Sequence, residues 1–364
     1  MFFSEFGDGD TPTLWDPQTN VLTTLPKAGF NIFCAGHAFM PDGRLLVAGG
    51  HITNDSGLPY AAIFDPFKLT WTRLPNMNAG RWYPTVTTLP NGDMLVIGGA
   101  KEDTTKNLIP QVWQTSKNSW RNLTGASLEL MYYPWMFVTS TGKTLMAGYW
   151  KPARYLDTNG TGAWTSGPRT NYARSRNAGS AVMYDDGKVL ITGGDNPPTN
   201  NVEVLDLNAA KPAWRTVRPM RYVRRQHNST VLPDGTVLVT GGHSGPGTDN
   251  PNFPRLETEL WNPVTEQWVG AGARVGLSRL SLHHRAVAGR TRAVPRAAAT
   301  SRRCRSSPRR ISSMARAPPS PPRPRPSPME RPSASTPPRR PASPWRPGFA
   351  WAPSPTPSTR TSDS

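Results

Sequence analysis

Five short apolar runs in this 364-residue chain end in a glycine pair, or a near copy of one, at almost constant spacing. They are Gly49-Gly50, Gly98-Gly99, Ala147-Gly148, Gly193-Gly194 and Gly241-Gly242, with steps of 49, 49, 46 and 48 residues. A polar turn precedes each: Pro41-Asp42-Gly43, Pro90-Asn91-Gly92, Ser140-Thr141-Gly142, Asp185-Asp186-Gly187 and Pro233-Asp234-Gly235. Turn residues set between two apolar runs are the sequence mark of a β-hairpin. A further short strand and a tryptophan come after each pair, at Trp71, Trp120, Trp164, Trp214 and Trp268. A unit of this size cannot bury its apolar face alone, so each must pack on its neighbours.

Turn, Val/Leu strand, Gly-Gly, strand and Trp at a period near ~50 is the kelch pattern, with one four-stranded blade per repeat. The predicted fold is all-β: an incomplete kelch-type β-propeller over residues 1–276, with five recognisable blades and a half blade. The half blade opens on Trp15-Asp16-Pro17 and runs to Pro26, and it resembles the outer halves at Phe64-Asp65-Pro66 and Trp261-Asn262-Pro263. Its inner hairpin is expected upstream of Met1, so the chain reads as a fragment.

The formal charge of +18 suggests a nucleic-acid binder until it is divided. Residues 277–364 hold 18 Arg and no Lys against Glu330 and Asp363, a balance of +16, which leaves +2 for residues 1–276. Basicity is therefore a property of the tail, and nucleic acid is expected to bind there non-specifically at most. That tail also holds 18 of the 40 Pro and has no Asn, Gln or Tyr, a composition expected to stay disordered. A natural Arg/Pro/Ser tail and an out-of-frame translation both account for it; the second is the expectation. Two cysteines, Cys34 and Cys304, imply no disulfide framework. The start Met1-Phe-Phe-Ser-Glu-Phe has no basic, apolar leader pattern, and no run reaches membrane-spanning length, so no membrane partner is expected.

Superposing the first two hairpins by their turns lays Cys34 on Tyr83, each seven positions before its Pro. The same register holds Tyr133, Ala178 and Gln226 in the other repeats, with His227 one step on. Each first strand starts on one face, turns on the other, and returns to Gly-Gly on the first. Cys34, Tyr83 and the loops after the glycine pairs therefore share a face, near the axis if the first strand is innermost.

Phe33-Cys34-Ala35-Gly36-His37, Ala79-Gly80-Arg81-Trp82-Tyr83-Pro84-Thr85 and Arg224-Arg225-Gln226-His227-Asn228 resemble motifs of the galactose oxidase/glyoxal oxidase group of copper radical oxidases. The similarity runs over most of residues 11–279. It implies a thioether between the Cys34 sulfur and the Tyr83 ring, with Tyr83 as copper ligand and radical. It also implies a primary alcohol, aldehyde or carbohydrate substrate, dioxygen as oxidant, hydrogen peroxide as product, and a secreted, monomeric protein. The family adds an axial Tyr with His immediately after it, and a second His from a C-terminal domain. Here Ser281-Leu282 comes after Ser278-Arg279-Leu280 instead. Codon degeneracy allows a displaced frame over Leu280–Pro295 to read Tyr-His and a further hairpin at that point. As written, the chain is expected to lack a complete copper site and to be inactive.

Trp82, Tyr133, His227 and Arg81 are candidate pocket residues, and each has a plainer reading in packing or ion pairing. Arg224 and Arg225 either orient an oxygen-rich substrate or pair with acids of the body. His51 and His243 lie in loops of the site face, and His37 is expected to be a hydrogen-bonded core residue. The rival from another class is a kelch binding scaffold without redox chemistry.

Overall fold

The computed structural model describes residues 2–3, 9–16, 18–149 and 151–273. Five four-stranded antiparallel sheets succeed one another in chain order. Blade one is Gly36–Phe39, Leu45–Ala48, Ala61–Asp65 and Thr70–Arg73; blade two is Thr85–Thr88, Met94–Ile97, Gln111–Gln114 and Ser119–Asn122. Blade three is Met136–Val138, Thr144–Met146, Arg154–Asp157 and Ala163–Ser166; blade four is Ser180–Asp185, Lys188–Thr192, Val202–Asp206 and Trp214–Val217. Blade five is Asn228–Val231, Val237–Thr240, Glu257–Trp261 and Trp268–Ala273. Blades one and two, two and three, and four and five meet through their first strands, which lie innermost. Among the described residues no helix is long and apolar enough to cross a membrane.

The expected outer half blade is present as Thr13–Asp16 paired with Val21–Thr24. Phe2–Phe3 adds a third strand on Leu14 and Thr13, a pairing that the sequence pattern did not reveal. The expected tail, residues 277–364, lies outside the described residues.

The core lies between blades rather than inside one. Strand residues alternate between the two faces of a sheet, so a continuous apolar strand feeds two interfaces. In Leu45–Ala48, Leu46 and Ala48 pack against Val86, Met94 and Val96 of blade two. Leu45 and Val47 turn the other way, towards Leu25 and Leu14 of the half blade. Met94 and Val96 against Leu95 and Ile97 repeat the division one blade on. The second strands of blades one and two are apolar throughout for this reason.

Two polar devices lock blade to blade. Four of the five repeat tryptophans reach back to the chain leaving the preceding sheet: Trp71 Nε1 donates to the Pro26 carbonyl at 3.0 Å, Trp120 to Pro75 at 2.7 Å, Trp164 to Ala126 at 2.9 Å and Trp268 to Arg218 at 2.9 Å. The glycine pairs admit the next blade's backbone. A Cβ on Gly49 would stand 2.2 Å from the Arg81 carbonyl oxygen, and one on Gly193 2.5 Å from that of Arg224. Only glycine fits such an approach.

Buried arginines brace three blades in one way. Arg81, Arg176 and Arg224 each donate Nη1 to a glycine carbonyl 17 residues on, at Gly98 (2.8 Å), Gly193 (3.3 Å) and Gly241 (3.0 Å). Nη2 meets Glu203 at 2.7 Å from Arg176 and Glu259 at 2.7 Å from Arg224. In blade two Gln111 takes the place of the glutamate, and Arg81 Nη2 gives its closest bond to the Ile109 carbonyl, 2.7 Å. The same acid or amide also caps a backbone N–H: Asn78 on Gln111, Asn171 on Glu203, Arg221 on Glu259.

Removing one member of a buried pair strands the other's charge. Glu203→Ala is therefore expected to cost about 3–5 kcal/mol in urea unfolding. Arg215→Ala breaks the exposed pair with Glu266 and is expected to cost less than about 1 kcal/mol.

Candidate functional site

Cys34, Tyr83, Tyr133, Ala178 and Gln226 sit just ahead of the five innermost strands, and all five have left-handed backbones, with φ of 63°, 63°, 49°, 53° and 53°. Tyr83 N–H donates to the Cys34 carbonyl at 3.0 Å, Tyr133 to Tyr83 at 2.8 Å, and Gln226 to Ala178 at 2.6 Å. The bend lets each inner carbonyl point at the next blade. It also turns the five side chains onto one end of the ring.

Cys34 and Tyr83 meet there. Cys34 packs in one cluster with Phe33, Trp82 and Ala100, with Tyr83 laid against it, and each of the two groups acts on the other's titration. Cys34 is 7% exposed, and burial pushes its thiol up to about 12 despite the bonds from Tyr83 and Trp82. Burial also pushes the Tyr83 phenol far up, and the negative charges of Cys34, Asp249 and Asp55 add to this. Both groups are therefore protonated at neutral pH.

Aromatic rings enclose the pair. Trp82 stacks on Tyr83 at 3.5 Å and 10°, and Tyr133 stacks at 4.6 Å and 22°. Tyr132 stands edge-on to Trp82 at 4.8 Å and to Tyr83 at 5.6 Å. Trp82 Nε1 donates to His51 Nδ1 at 3.1 Å. That bond needs an unprotonated Nδ1, and burial pulls the His51 pKa below its ordinary value. Phe33 meets the His51 ring edge-on at 5.6 Å. The hairpin of His51–Thr53 and Ser56–Gly57 is tied across by the Tyr132 hydroxyl, which donates to Asp55.

The other candidates part company. Trp82 and Tyr133 lie against Tyr83. Arg81 does not reach the pocket: it is fully buried and spends its Nη donors on Gly98, Ile109 and Asn78, because the blade needs those carbonyls satisfied. Arg224 likewise pairs with Glu259 inside blade five. His227 is fully buried between blades four and five, with Nε2 2.9 Å from the Thr192 hydroxyl, so it is a packing residue rather than a pocket wall. His37 is accessible on its innermost strand, yet the protein around it pulls its pKa below the ordinary value, and it lines a small cleft with Ala35, Thr85 and Tyr133. His243 Nε2 donates to Gln226 Oε1 at 2.7 Å, and Gln226 Nε2 donates to Asp249 at 2.6 Å.

Sequence reasoning missed Tyr132, Asp55, Asp249 and the part played by His51. A signal existed for one: Phe33, Trp82, Tyr132 and Arg225 all occupy the position before a hub residue. Asp55 and Asp249 sit in loops of unequal length, which repeat spacing does not reach.

A tetragonal copper site needs several nitrogen and oxygen ligands in one plane. The described residues offer the Tyr83 oxygen, and among them no group of three or more His, Cys, Asp or Glu is placed to hold a metal ion. The fit to copper is thus incomplete on this part of the chain.

The meander sheets, shared hub register and interblade cores define a kelch-type β-propeller. No family model matches the chain. A galactose oxidase of Gibberella zeae is 27% identical over 277 residues, covering 68% of this chain and 40% of that protein. An aldehyde oxidase of Vitis pseudoreticulata is 24% identical over 255 residues, covering 62% and 47%. The solved structure of a fungal alcohol oxidase of the AA5 family, in complex with copper, superposes with a TM-score of 0.65 at 24% identity, covering 75% of this chain and 61% of that one. The chain is thus similar to galactose oxidase and glyoxal oxidase-type proteins along its propeller. It spans about two fifths of the galactose oxidase and under half of the aldehyde oxidase.

The Cys34 thiol gives a test of the site's burial. In copper-free protein its thiolate fraction at pH 8 is expected to be roughly a thousand-fold below that of an unfolded cysteine, so iodoacetamide alkylates it only after urea is added. The folded pKa is raised, so the thiol's contribution to stability is complete below about pH 9 and is lost as pH climbs towards about 12. Cys34→Ser is expected to lack that part of the pH dependence in denaturant titrations.

Proposed function

We propose that this chain is the propeller portion of a copper radical oxidase, built to oxidise a primary alcohol or aldehyde with dioxygen and release hydrogen peroxide. The contact between Cys34 and Tyr83 carries the reading. Joining Cys34 Sγ to the Tyr83 ring carbon next to the hydroxyl removes the thiol hydrogen and one ring hydrogen. Two protons and two electrons leave, and dioxygen accepts them as hydrogen peroxide. A thioether on the ring lowers the oxidation potential of the phenol, and the stacked Trp82 and Tyr133 keep solvent from it.

The substrate oxidation itself needs more than the described residues hold. Tyr83 is the ligand they provide, and Ser281-Leu282 stand where the family resemblance asks for Tyr-His. We therefore read the chain as written as a cofactor-forming propeller that does not turn over substrate. Extracellular placement and a monomeric state are part of the same proposal, drawn from the family resemblance. A kelch scaffold without redox chemistry is the second reading, favoured by that incomplete ligand set.

Intact-mass spectrometry after exposure to Cu(II) and air separates the two. A loss of two hydrogens, mapped to a joined Cys34–Tyr83 peptide and absent in Cys34→Ser and Tyr83→Phe, is expected. Two unlinked peptides would leave the scaffold. Peroxide formation with alcohols or aldehydes is expected to stay at the level of free Cu(II).

A further inference from the structure

One hairpin supports two of the rings that stand around Tyr83. It pairs His51–Thr53 with Ser56–Gly57, directly after the first glycine pair. At its tip Asp55 accepts the Tyr132 O–H, and at its base His51 Nδ1 accepts the Trp82 Nε1–H at 3.1 Å. That base is tied down on both strands. His51 N–H donates to the Asn31 carbonyl at 3.1 Å, and Ser56 Oγ donates to the Glu102 carbonyl at 2.8 Å. His51 and Trp82 are both buried, so water does not compete for the bond between them.

The needs of folding do not account for that bond. The indole N–H groups of Trp113, Trp214 and Trp261 are buried at least as deeply and find no partner among the described residues. The four repeat tryptophans that reach back use backbone carbonyls. For Trp82 the preceding blade supplies an imidazole instead. The two posts concerned recur around the ring. Asp195 follows Gly193-Gly194 as His51 follows Gly49-Gly50, and it acts through space on Arg225, which precedes its hub residue as Trp82 does. Blade one fills its post with a ring nitrogen that can accept from an indole.

Trp82 stacks on Tyr83 at 3.5 Å and 10°, and it packs in one cluster with Cys34. Stacking alone tolerates a range of lateral offsets between two rings. A hydrogen bond to Nε1 is directional and selects one of them. We propose that His51 is a positioning residue: by holding the Trp82 indole in one orientation, it keeps Tyr83 and Cys34 in register for their coupling. The coupling rests on the oxidase reading; the hold of His51 on Trp82 does not.

The test uses the full chain with its tryptophans labelled with nitrogen-15, the Trp82 indole signal being the one that Trp82→Phe removes. Without copper, solvent exchange of that N–H is expected to be about tenfold faster in His51→Leu than in the wild type. In His51→Asn, which offers an amide oxygen near the place of Nδ1, it is expected to stay within about twofold of the wild type. After addition of Cu(II) and air, the rate of two-hydrogen loss is expected to fall at least fivefold in His51→Leu and in Trp82→Phe, and to recover in His51→Asn. In the Trp82→Phe background, where His51 has no indole to hold, His51→Leu is expected to slow the rate no further. An equal further slowing there would assign His51 to the fold and overturn the proposal. So would an undiminished rate in His51→Leu or in Trp82→Phe, the second of which decides the matter even if the leucine variant does not fold. A wild type that never couples sinks the oxidase reading and the role built on it. Indole exchange that His51→Leu leaves unaltered sinks the positioning alone.

Discussion

The structure depends on one backbone contact repeated around its axis. The residue that opens each blade is bent into the left-handed region, and in three of the described junctions its carbonyl receives the N–H of its counterpart one blade on. For a residue with a side chain that conformation costs roughly 1–2 kcal/mol. The cost is accepted because the inner ends of the blades are buried and their amides have no water to turn to. Glycine would take the bend more cheaply, yet none of the five positions has one. Each instead carries a side chain, in Cys34, Tyr83, Tyr133, Ala178 and Gln226, delivered to the same end of the ring. The strain of closing the hub and the placing of the chemistry are one event.

Two adjacent arginines show how the bend ahead of an inner strand parts like side chains. Arg224 and Arg225 are neighbours of the same type and near-equal burial. Arg224 turns into its own blade, onto Gly241 and Glu259, whereas Arg225 lies buried within electrostatic reach of Asp195 and Asp249. Arg81 and Arg176 hold the same post as Arg224, which makes that post part of the blade's construction. At the position of Arg225 the other blades place Phe33, Trp82, Tyr132 and Asn177, and the first three wall the Cys34–Tyr83 pair. The ring thus changes from aromatic to polar around its circumference.

Much of this was open to reading in the chain. The glycine pairs at near-constant spacing, the turns ahead of them and the tryptophans behind them set five blades in register, and the register placed Cys34 against Tyr83. Other features were not open to it. His227 and Arg81 neighbour hub residues, which puts them at the pocket on a repeat count, and only the alternation of real strands buries them. His37 is expected inside because its strand is innermost, and there it lines a cleft rather than packing in the core. Tyr132, Asp55 and Asp249 act through contacts between residues far apart in sequence, which a repeat length does not encode.

By itself the sequence determined the blade: its length, its turns, the apolar strand that must be covered on both sides, and which residues recur at the start of each unit. Those properties are local, set by periodicity and by what glycine and proline allow. The tertiary structure decided which recurring residues meet. A phenol and a thiol 49 positions apart touch, and two adjacent arginines part, because neighbouring sheets share a hub and strands alternate their faces.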